Sequence, residues 1–376
     1  MKLLPGWLRG WWGNSQLTPT SRLPVIQIEI TSRCQMQCIF CAHQGLKGQW
    51  VHGDLPWELY RDAIVPDLHH FELVYLQGWG EPMLHPHLWD MLDLAQGAGC
   101  RTGFTTNGAR LTLDCSTRLL NMGVDILCIS LAGASGETHE ALRVGCRFDH
   151  LVTNIQTLTR LKAQRSSDRP WLELHLLMTR ANIHELPDFV ELAARLGADE
   201  AVATNLTYTP TPEADSLRAF SCYEPDPTYQ EFVAHAQEKA QASGIKFRLY
   251  PLLKGEPLIG CDARPLETAF VNHMGYVTPC VYLGLSVKGD IPRIFCGRQV
   301  SVDPVRFGHV SQGLMAAFHS HEAGKFKMPL RKLKMSTHPA LLFGALTTEA
   351  TSHYTASDRV SILPIGCQSC YKQYGM

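Results

Sequence analysis

Three cysteines, Cys34, Cys38 and Cys41, stand within eight residues of one another directly after the strand-like run Val25–Ile30. Cysteine thiolates hold iron–sulfur clusters, commonly four at a time, so three leave one iron of a [4Fe–4S] cluster open to a cofactor or substrate. A structural zinc with His43 as fourth ligand competes with that reading, and cysteines buried as small hydrophobes are the plainest alternative. A second set lies far downstream: Cys261, then Gly275-Tyr-Val-Thr-Pro-Cys280, and finally Cys367-Gln-Ser-Cys370. Four thiolates fit a second cluster or a zinc ion, and the CxxC pair alone fits a redox dithiol; spacing by itself does not separate these.

Other short segments carry chemistry only in combination. Gly78-Trp79-Gly80-Glu81-Pro82 has two glycines that permit close backbone approach to a ligand, although a turn would use glycine and proline equally well. Thr106-Asn107-Gly108 is a turn signal. Ser130 ends an apolar run, and Arg143 sits in Glu-Ala-Leu-Arg, where a solvated helix charge is the simple reading. Lys325–Lys334 carries five positive charges in ten residues. Such a run is usually a solvated face, and otherwise a landing site for an acidic or phosphorylated partner.

The elements that must position these residues alternate regularly. Strands are expected at 25–30, 72–77, 101–105, 126–130, 171–178 and 200–206, and helices at 56–70, 86–98, 112–121, 148–163 and 184–196, the last ended by Gly197. Six such units predict parallel pairing with right-handed crossovers, an open partial (β/α)6 TIM-like barrel of the α/β class. Each motif in the first half follows one of these strands, at the mouth where such barrels place chemistry. A Pro- and Thr-rich connection at 206–227 is expected to cross that mouth, followed by a helix at 228–243. The expected organisation is an N-terminal arm (1–24), the barrel (25–243) and a small cysteine-bearing domain (244–376) held by metal, with an insertion at 336–364. Cysteines 100, 115, 128, 146 and 296 read as core or incidental. Cys222 is set apart because it lies in the mouth connection, where a thiol can give a hydrogen atom to a substrate radical.

On Cys34-x3-Cys38-x2-Cys41, with an aromatic residue, Phe40, just before the third cysteine, the chain resembles the radical S-adenosylmethionine (SAM) superfamily. The resemblance implies that Cys34, Cys38 and Cys41 hold a [4Fe–4S] cluster and that Gly78–Pro82, with Trp79 in place of a commoner small residue, meets the methionine moiety of SAM. It further implies that Phe40, Asn107, Ser130 and Arg143 belong to the SAM site; Ala132 stands where many relatives carry aspartate. The segments around Cys261, Cys280, Phe307-Gly-His-Val and Cys367/Cys370 resemble the SPASM and twitch auxiliary-cluster domains, implying a second [4Fe–4S] cluster on those four cysteines. The implied activity is generation of the 5′-deoxyadenosyl radical and abstraction of a hydrogen atom from an unactivated carbon. Net oxidation, a dehydrogenation or a peptide crosslink, is preferred; epimerisation with Cys222 as donor is the second reading, and a zinc-binding interaction module the reading of another class. The implied partners are a peptide or small-molecule substrate, an electron donor such as flavodoxin or ferredoxin, and a separate peptide-recognition protein, since about 24 residues before the first strand are too few for a fused one.

Composition bounds the rest. In 376 residues, 45% are hydrophobic and 18% charged, the balance of a globular enzyme and not of a disordered chain. A net charge of −1 gives no basic field for nucleic acid. Thirteen cysteines without a signal sequence or a bilayer-length apolar run predict a reducing cytoplasm and argue against disulfides. Trp7, Trp11 and Trp12 suit a docking arm better than interfacial membrane contact, because Pro5, Gly6 and Gly10 interrupt any helix there.

Overall fold

The computed structural model describes residues 22–336 and 355–376. The three N-terminal tryptophans and most of the expected insertion at 336–364 lie outside them. Among the described residues no helix is long and apolar enough to cross a membrane.

Ten strands form one sheet. In chain order they are β1 (Leu23–Ile28), β2 (Phe71–Leu76), β3 (Arg101–Thr106), β4 (Ile126–Leu131), β5 (Trp171–Met178), β6 (Glu200–Asn205), β7 (Lys246–Leu249), β8 (Thr268–Val271), β9 (Tyr276–Thr278) and β10 (Gly308–His309). Their spatial order is β10-β9-β8-β1-β2-β3-β4-β5-β6-β7. From β8 to β7 all neighbours are parallel; β9 and β10 add antiparallel on the β8 side. The ends β10 and β7 are not paired with each other, so this is a partial TIM-like barrel, as the alternation of elements predicts.

The sheet does not stop where a domain boundary is expected. Lys246–Leu249 adds to β6, and Thr268–Val271 returns to the opposite side and pairs with β1, Val25 opposite Thr268. The region after residue 243 therefore shares its first strands with the barrel. Short strands such as β7 and β8 carry too few periods of alternation to announce themselves in sequence.

Period-two alternation sorts the side chains. On β1 Ile26 and Ile28, with Ile30 just beyond, join the core between sheet and helices, while Val25 joins Leu73, Tyr75, Ile126 and Cys128 in a separate inward-facing cluster. The helices that cover the outer face begin and end where their sequences dictate. Leu113–Met122 is capped by Thr112, whose hydroxyl accepts from the Cys115 N–H, and closed by Gly123 at φ 64°, a left-handed position suited to glycine. The expected helix at 56–70 is instead three short turns: Trp57–Leu59, a π-type turn Tyr60–Ile64, and a 3-10 turn Val65–His70. Pro66 lacks an N–H and crowds the carbonyl four residues back, which disfavours one continuous α-helix here.

The basic run at 325–334 lies within the helix His321–Ser336. Lys325, Arg331, Lys332 and Lys334 are exposed, but Lys327 is buried, with Nζ donating to the Phe318 carbonyl at 2.9 Å. Burial pulls its pKa down to about 7, so at neutral pH the patch carries less charge than its composition implies.

Candidate active site

The first three cysteines follow β1 at the C-terminal end of the parallel sheet. Their loop is fixed by a two-residue antiparallel ladder, Gln37–Cys38 against Arg143–Val144, which sets Cys38 opposite Arg143. Arg143 is thus not a solvated helix charge. It is 9% exposed, its guanidinium lies 5.7 Å from the centre of the Phe40 ring, and its Nε is buried without a hydrogen-bond partner. Burial raises the Cys34 thiol and pushes Cys41 up to about 12, while Arg143 pulls both the other way. Desolvated thiols beside an unpartnered buried cation suit a group that is cationic at its metals and anionic as a whole, which is the character of an iron–sulfur cluster with thiolate ligands.

The loop Gly78–Pro82 after β2 packs on this cysteine loop. A Cβ on Gly80 would meet the Arg33 carbonyl at 2.8 Å, and the Glu81 N–H donates to that same oxygen at 2.8 Å. The buried Glu81 carboxylate is engaged within the protein. It accepts from Thr106 Oγ1 and the Asn107 N–H at 2.7 Å each and from the Met83 N–H at 3.1 Å. Burial raises its pKa and these hydrogen bonds oppose the rise. Glu81 therefore fastens the end of β3 to the glycine loop, and places the Asn107 amide 3.9 Å from Cys34 Sγ. Ser130, part-exposed near the end of β4, pairs in register with His175 on β5.

Glu29, which the sequence reading passed over, explains the loop's other anchor. One carboxylate oxygen accepts from the Trp79 N–H at 2.8 Å; the other meets His273 Nδ1 at 3.1 Å and accepts from Ser286 Oγ at 3.3 Å. One buried acid on β1's extension thus ties the glycine loop to the C-terminal region. Trp79 does the same through its ring. Its Nε1–H donates to the Val281 carbonyl at 3.2 Å, beside Cys280, and its ring centre lies 5.4 Å from Tyr208 and 6.1 Å from Tyr282. The alternation in Val-Ile-Gln-Ile-Glu-Ile signals that Glu29 shares the inward face with Val25 and Gln27; its partners lie too far along the chain to be foreseen.

Cys261, Cys280, Cys367 and Cys370 line a single cavity of about 20 Å³, together with Tyr282 and Lys372. Burial and mutual repulsion raise Cys261 and Cys280 to about 12, and raise Cys367 as well. A buried arginine is present here too. Arg293 donates to the Gly366 carbonyl at 3.0 Å, its Nε and Nη2 have no partner, and it lowers the cost of ionising Cys280 and Cys367.

Two expectations need correction. Cys222 is disulfide-bonded to Cys296, with Cα atoms 5.7 Å apart, inside the range a disulfide spans. The sulfur carries no S–H to donate, so the hydrogen-donor role falls, and so does the expectation that the chain lacks disulfides. The two residues are 74 apart in sequence, and only the approach of the mouth connection to the hairpin Ile291–Phe295/Arg298–Val302 joins them. His43 packs against Trp50, ring centres 4.2 Å apart, and burial lowers its pKa to about 4. Among the described residues, the one trio of donor atoms all within 4.8 Å is Cys128, Glu173 and His175, not His43 with the cysteines.

Residues 28–200 match the family model of the radical SAM superfamily. Residues 28–200 are a radical SAM domain. It is 26% identical over 303 residues to the tungsten-containing aldehyde ferredoxin oxidoreductase cofactor-modifying protein of Pyrococcus furiosus, covering 79% of this chain and 81% of that one. It is 30% identical over 171 residues to the mycofactocin maturase MftC of Mycobacterium tuberculosis, covering 45% of this chain and 41% of MftC. This radical SAM chain therefore spans about two fifths of the maturase's length. In fold it is similar to Streptococcus suis SuiB bound to its precursor peptide SuiA, with a TM-score of 0.54 at 12% identity over 94% of this chain and 71% of SuiB. This domain supports an enzyme, and implies one [4Fe–4S] cluster and SAM as cofactors.

Proposed function

We propose that this radical SAM enzyme carries out a net two-electron oxidation of a peptide, with Cys34, Cys38 and Cys41 holding the SAM-binding cluster and Cys261, Cys280, Cys367 and Cys370 holding an auxiliary [4Fe–4S] cluster. The observation that carries the reading is the convergence of four desolvated thiols on one cavity, beside Arg293, directly behind the Trp79 loop. A zinc ion in a tetrahedral site, with Zn–S about 2.3 Å, would draw its sulfurs to roughly 3.8 Å apart. No three of these four sulfurs lie within 4.8 Å of one another, which favours a larger polynuclear group. When bound, the first cluster and SAM supply the deoxyadenosyl radical that removes a hydrogen atom from the substrate.

The chain's own residues do the positioning. Gly80 keeps the loop backbone close against Thr31 and Arg33 at the head of the cysteine loop, Gly78 leaves room for the Glu29 side chain, Glu81 holds Asn107 toward Cys34, and Arg143 offers its free Nε–H to negative charge at the cysteine site. Phe40, Ser130, Trp79 and Pro82 complete the proposed SAM pocket. Trp79, with its ring against Tyr208 and Tyr282, links the glycine loop to the second cysteine set, which Tyr282 also lines. The similarity to MftC, a maturase, and to SuiB bound to its precursor peptide supports a peptide substrate. An external flavodoxin- or ferredoxin-like reductant and a separate peptide-recognition protein complete the proposal.

The test is anaerobic reconstitution followed by turnover with SAM, dithionite and synthetic peptides encoded near the gene. About eight irons per chain are expected for two four-iron clusters. Deoxyadenosine and a product two mass units lighter are expected with the right peptide. Four irons with one zinc would remove the auxiliary cluster, and a product of unchanged constitution that carries one deuterium after turnover in heavy water would replace oxidation by epimerisation.

A further inference from the structure

Inside the barrel, one step deeper than Ser130, lies a polar cluster that the reading above leaves unused. Register pairs Cys128 on β4 with Glu173 on β5, and Ser130 with His175. His175 Nε2 is 2.7 Å from Glu173 Oε2, and the Cys128 thiol is 3.4 Å from that oxygen and 3.5 Å from Nε2. Arg248 on β7 donates to Glu173 Oε2 at 3.3 Å and to Glu200 Oε1 on β6 at 2.9 Å. Tyr75 on β2 closes the cluster beside Cys128. Cys128 is thus no incidental core cysteine.

Two features of this cluster point to a proton. Its buried carboxylates, Glu173 and Glu200, face one guanidinium, and Glu200 Oε2 has no partner, so one further positive charge on His175 would balance the set. The His175 side chain is 19% exposed while that of Glu173 is 3% exposed, so the pair is sealed from the carboxylate side and open from the imidazole side. With Nε2 held by Glu173, Nε2 carries the hydrogen and donates it to the carboxylate; Nδ1 is neither hydrogen-bonded nor a buried orphan among the described residues. A bare Nδ1 backed by a carboxylate on the opposite nitrogen is the arrangement of a general base. A metal ion fits less well. Arg248 occupies the oxygen it would use, and 2.7 Å is shorter than the roughly 3.4 Å between a nitrogen and an oxygen ligand on one tetrahedral zinc.

We propose that His175 is the proton acceptor of the oxidation, with Glu173 as its positioning residue, and that the substrate carbon attacked bears an O–H or N–H group. This rests on the oxidation reading. The deoxyadenosyl radical takes one hydrogen atom from carbon; the resulting carbon radical gives one electron to the oxidised auxiliary cluster; the neighbouring O–H or N–H proton passes to His175 Nδ1; and a C=O or C=N double bond remains. Removal of an electron without a place for the proton would leave a cationic substrate in a desolvated site, which is costly.

The test begins on the full-length holoprotein with oxidised clusters and ¹⁵N-labelled histidine. The His175 signals are expected to report the Nε2–H tautomer, with the Nε2–H resonance displaced in Glu173→Gln, because the carboxylate that accepts from it is gone. An Nδ1–H tautomer in the wild type overturns the proposal without any variant having to fold. So does a cobalt(II)–thiolate absorption band on addition of Co²⁺ that disappears in Cys128→Ser, since that would make the cluster a metal site. In turnover with a peptide that the wild type makes two mass units lighter, His175→Gln is expected to lower product about 100-fold while deoxyadenosine outruns product. Undiminished product from His175→Gln overturns this proposal alone; a wild type that yields no lighter product overturns the oxidation reading along with it.

Discussion

The two cysteine sites reach similar chemistry by opposite routes. The first draws its thiols from one loop, Cys34 to Cys41, and borrows a single distant group, Arg143, through a two-residue ladder. The second gathers Cys261, Cys280, Cys367 and Cys370 from three separate stretches and sets Arg293, from a fourth, against them. Both end with desolvated thiols beside an arginine that has unpartnered N–H groups in the interior. A buried donor without a partner costs about 1–3 kcal/mol, and more when charged, so finding one at each site marks where negative charge is to be accommodated. The difference lies in what fixes each site. A loop of eight residues can be organised by local turns, whereas the second site exists only if the C-terminal region is already docked on β1 and the glycine loop.

That contrast can be broken most forcefully at the first site. Replacing Cys34, Cys38 and Cys41 together by alanine is expected to abolish deoxyadenosine formation and to lower the iron content from about eight to about four per chain, the second cluster surviving because none of its ligands is local to this loop. Deoxyadenosine formed at the wild-type rate by the folded triple variant would end the assignment.

Exchanging the arginines sharpens the comparison. Arg293→Met removes a cation beside Cys280 and Cys367, and Arg143→Met removes one beside Cys34 and Cys41. A reduced cluster carries one more negative charge than an oxidised one, so loss of the cation disfavours reduction. Each variant is expected to lower the midpoint potential of its own cluster by on the order of 60 mV, a tenfold change for a one-electron couple, and to leave the other cluster unmoved. Potentiometric titration followed by electron paramagnetic resonance measures both. Equal shifts at both clusters would mean that the arginines act through the fold and not locally.

A smaller effect is expected at a buried histidine beside the first site, where Arg143 adds to the effect of burial. His139, fully buried, packs on Phe148 and accepts from the Ala132 N–H through Nδ1 at 3.3 Å. Burial depresses its pKa from 6.5 to about 3. A histidine kept neutral by folding contributes its full stability above the unfolded pKa, and that contribution falls as pH drops from 6.5 toward 3, because the unfolded chain takes up the proton first. Between pH 8 and pH 5 the wild type is expected to lose about 2 kcal/mol through this group. His139→Gln should show a correspondingly flatter pH dependence in denaturant unfolding. An unchanged slope would show that other groups set the acid limit.

Local pattern carried a good deal of this protein. The spacing Cys34-x3-Cys38-x2-Cys41 marked a candidate metal site because ligands within one loop can reach one metal group whatever the fold, and long periodic segments such as Trp171–Met178 and Phe148–Gln164 announced a parallel α/β sheet. What tertiary structure decided are relations between segments that share no local signal. Arg143 became a buried cation because a two-residue ladder turned it inward; Cys222 became half of a disulfide because a loop met a hairpin 74 residues on. Cys128, Glu173, His175, Glu200 and Arg248 became one cluster because strand register brings together residues that alternation only assigns to a face. Sequence period fixes which face a side chain occupies; which side chains then stand beside it depends on pairing between strands, and that is settled by packing of the whole sheet.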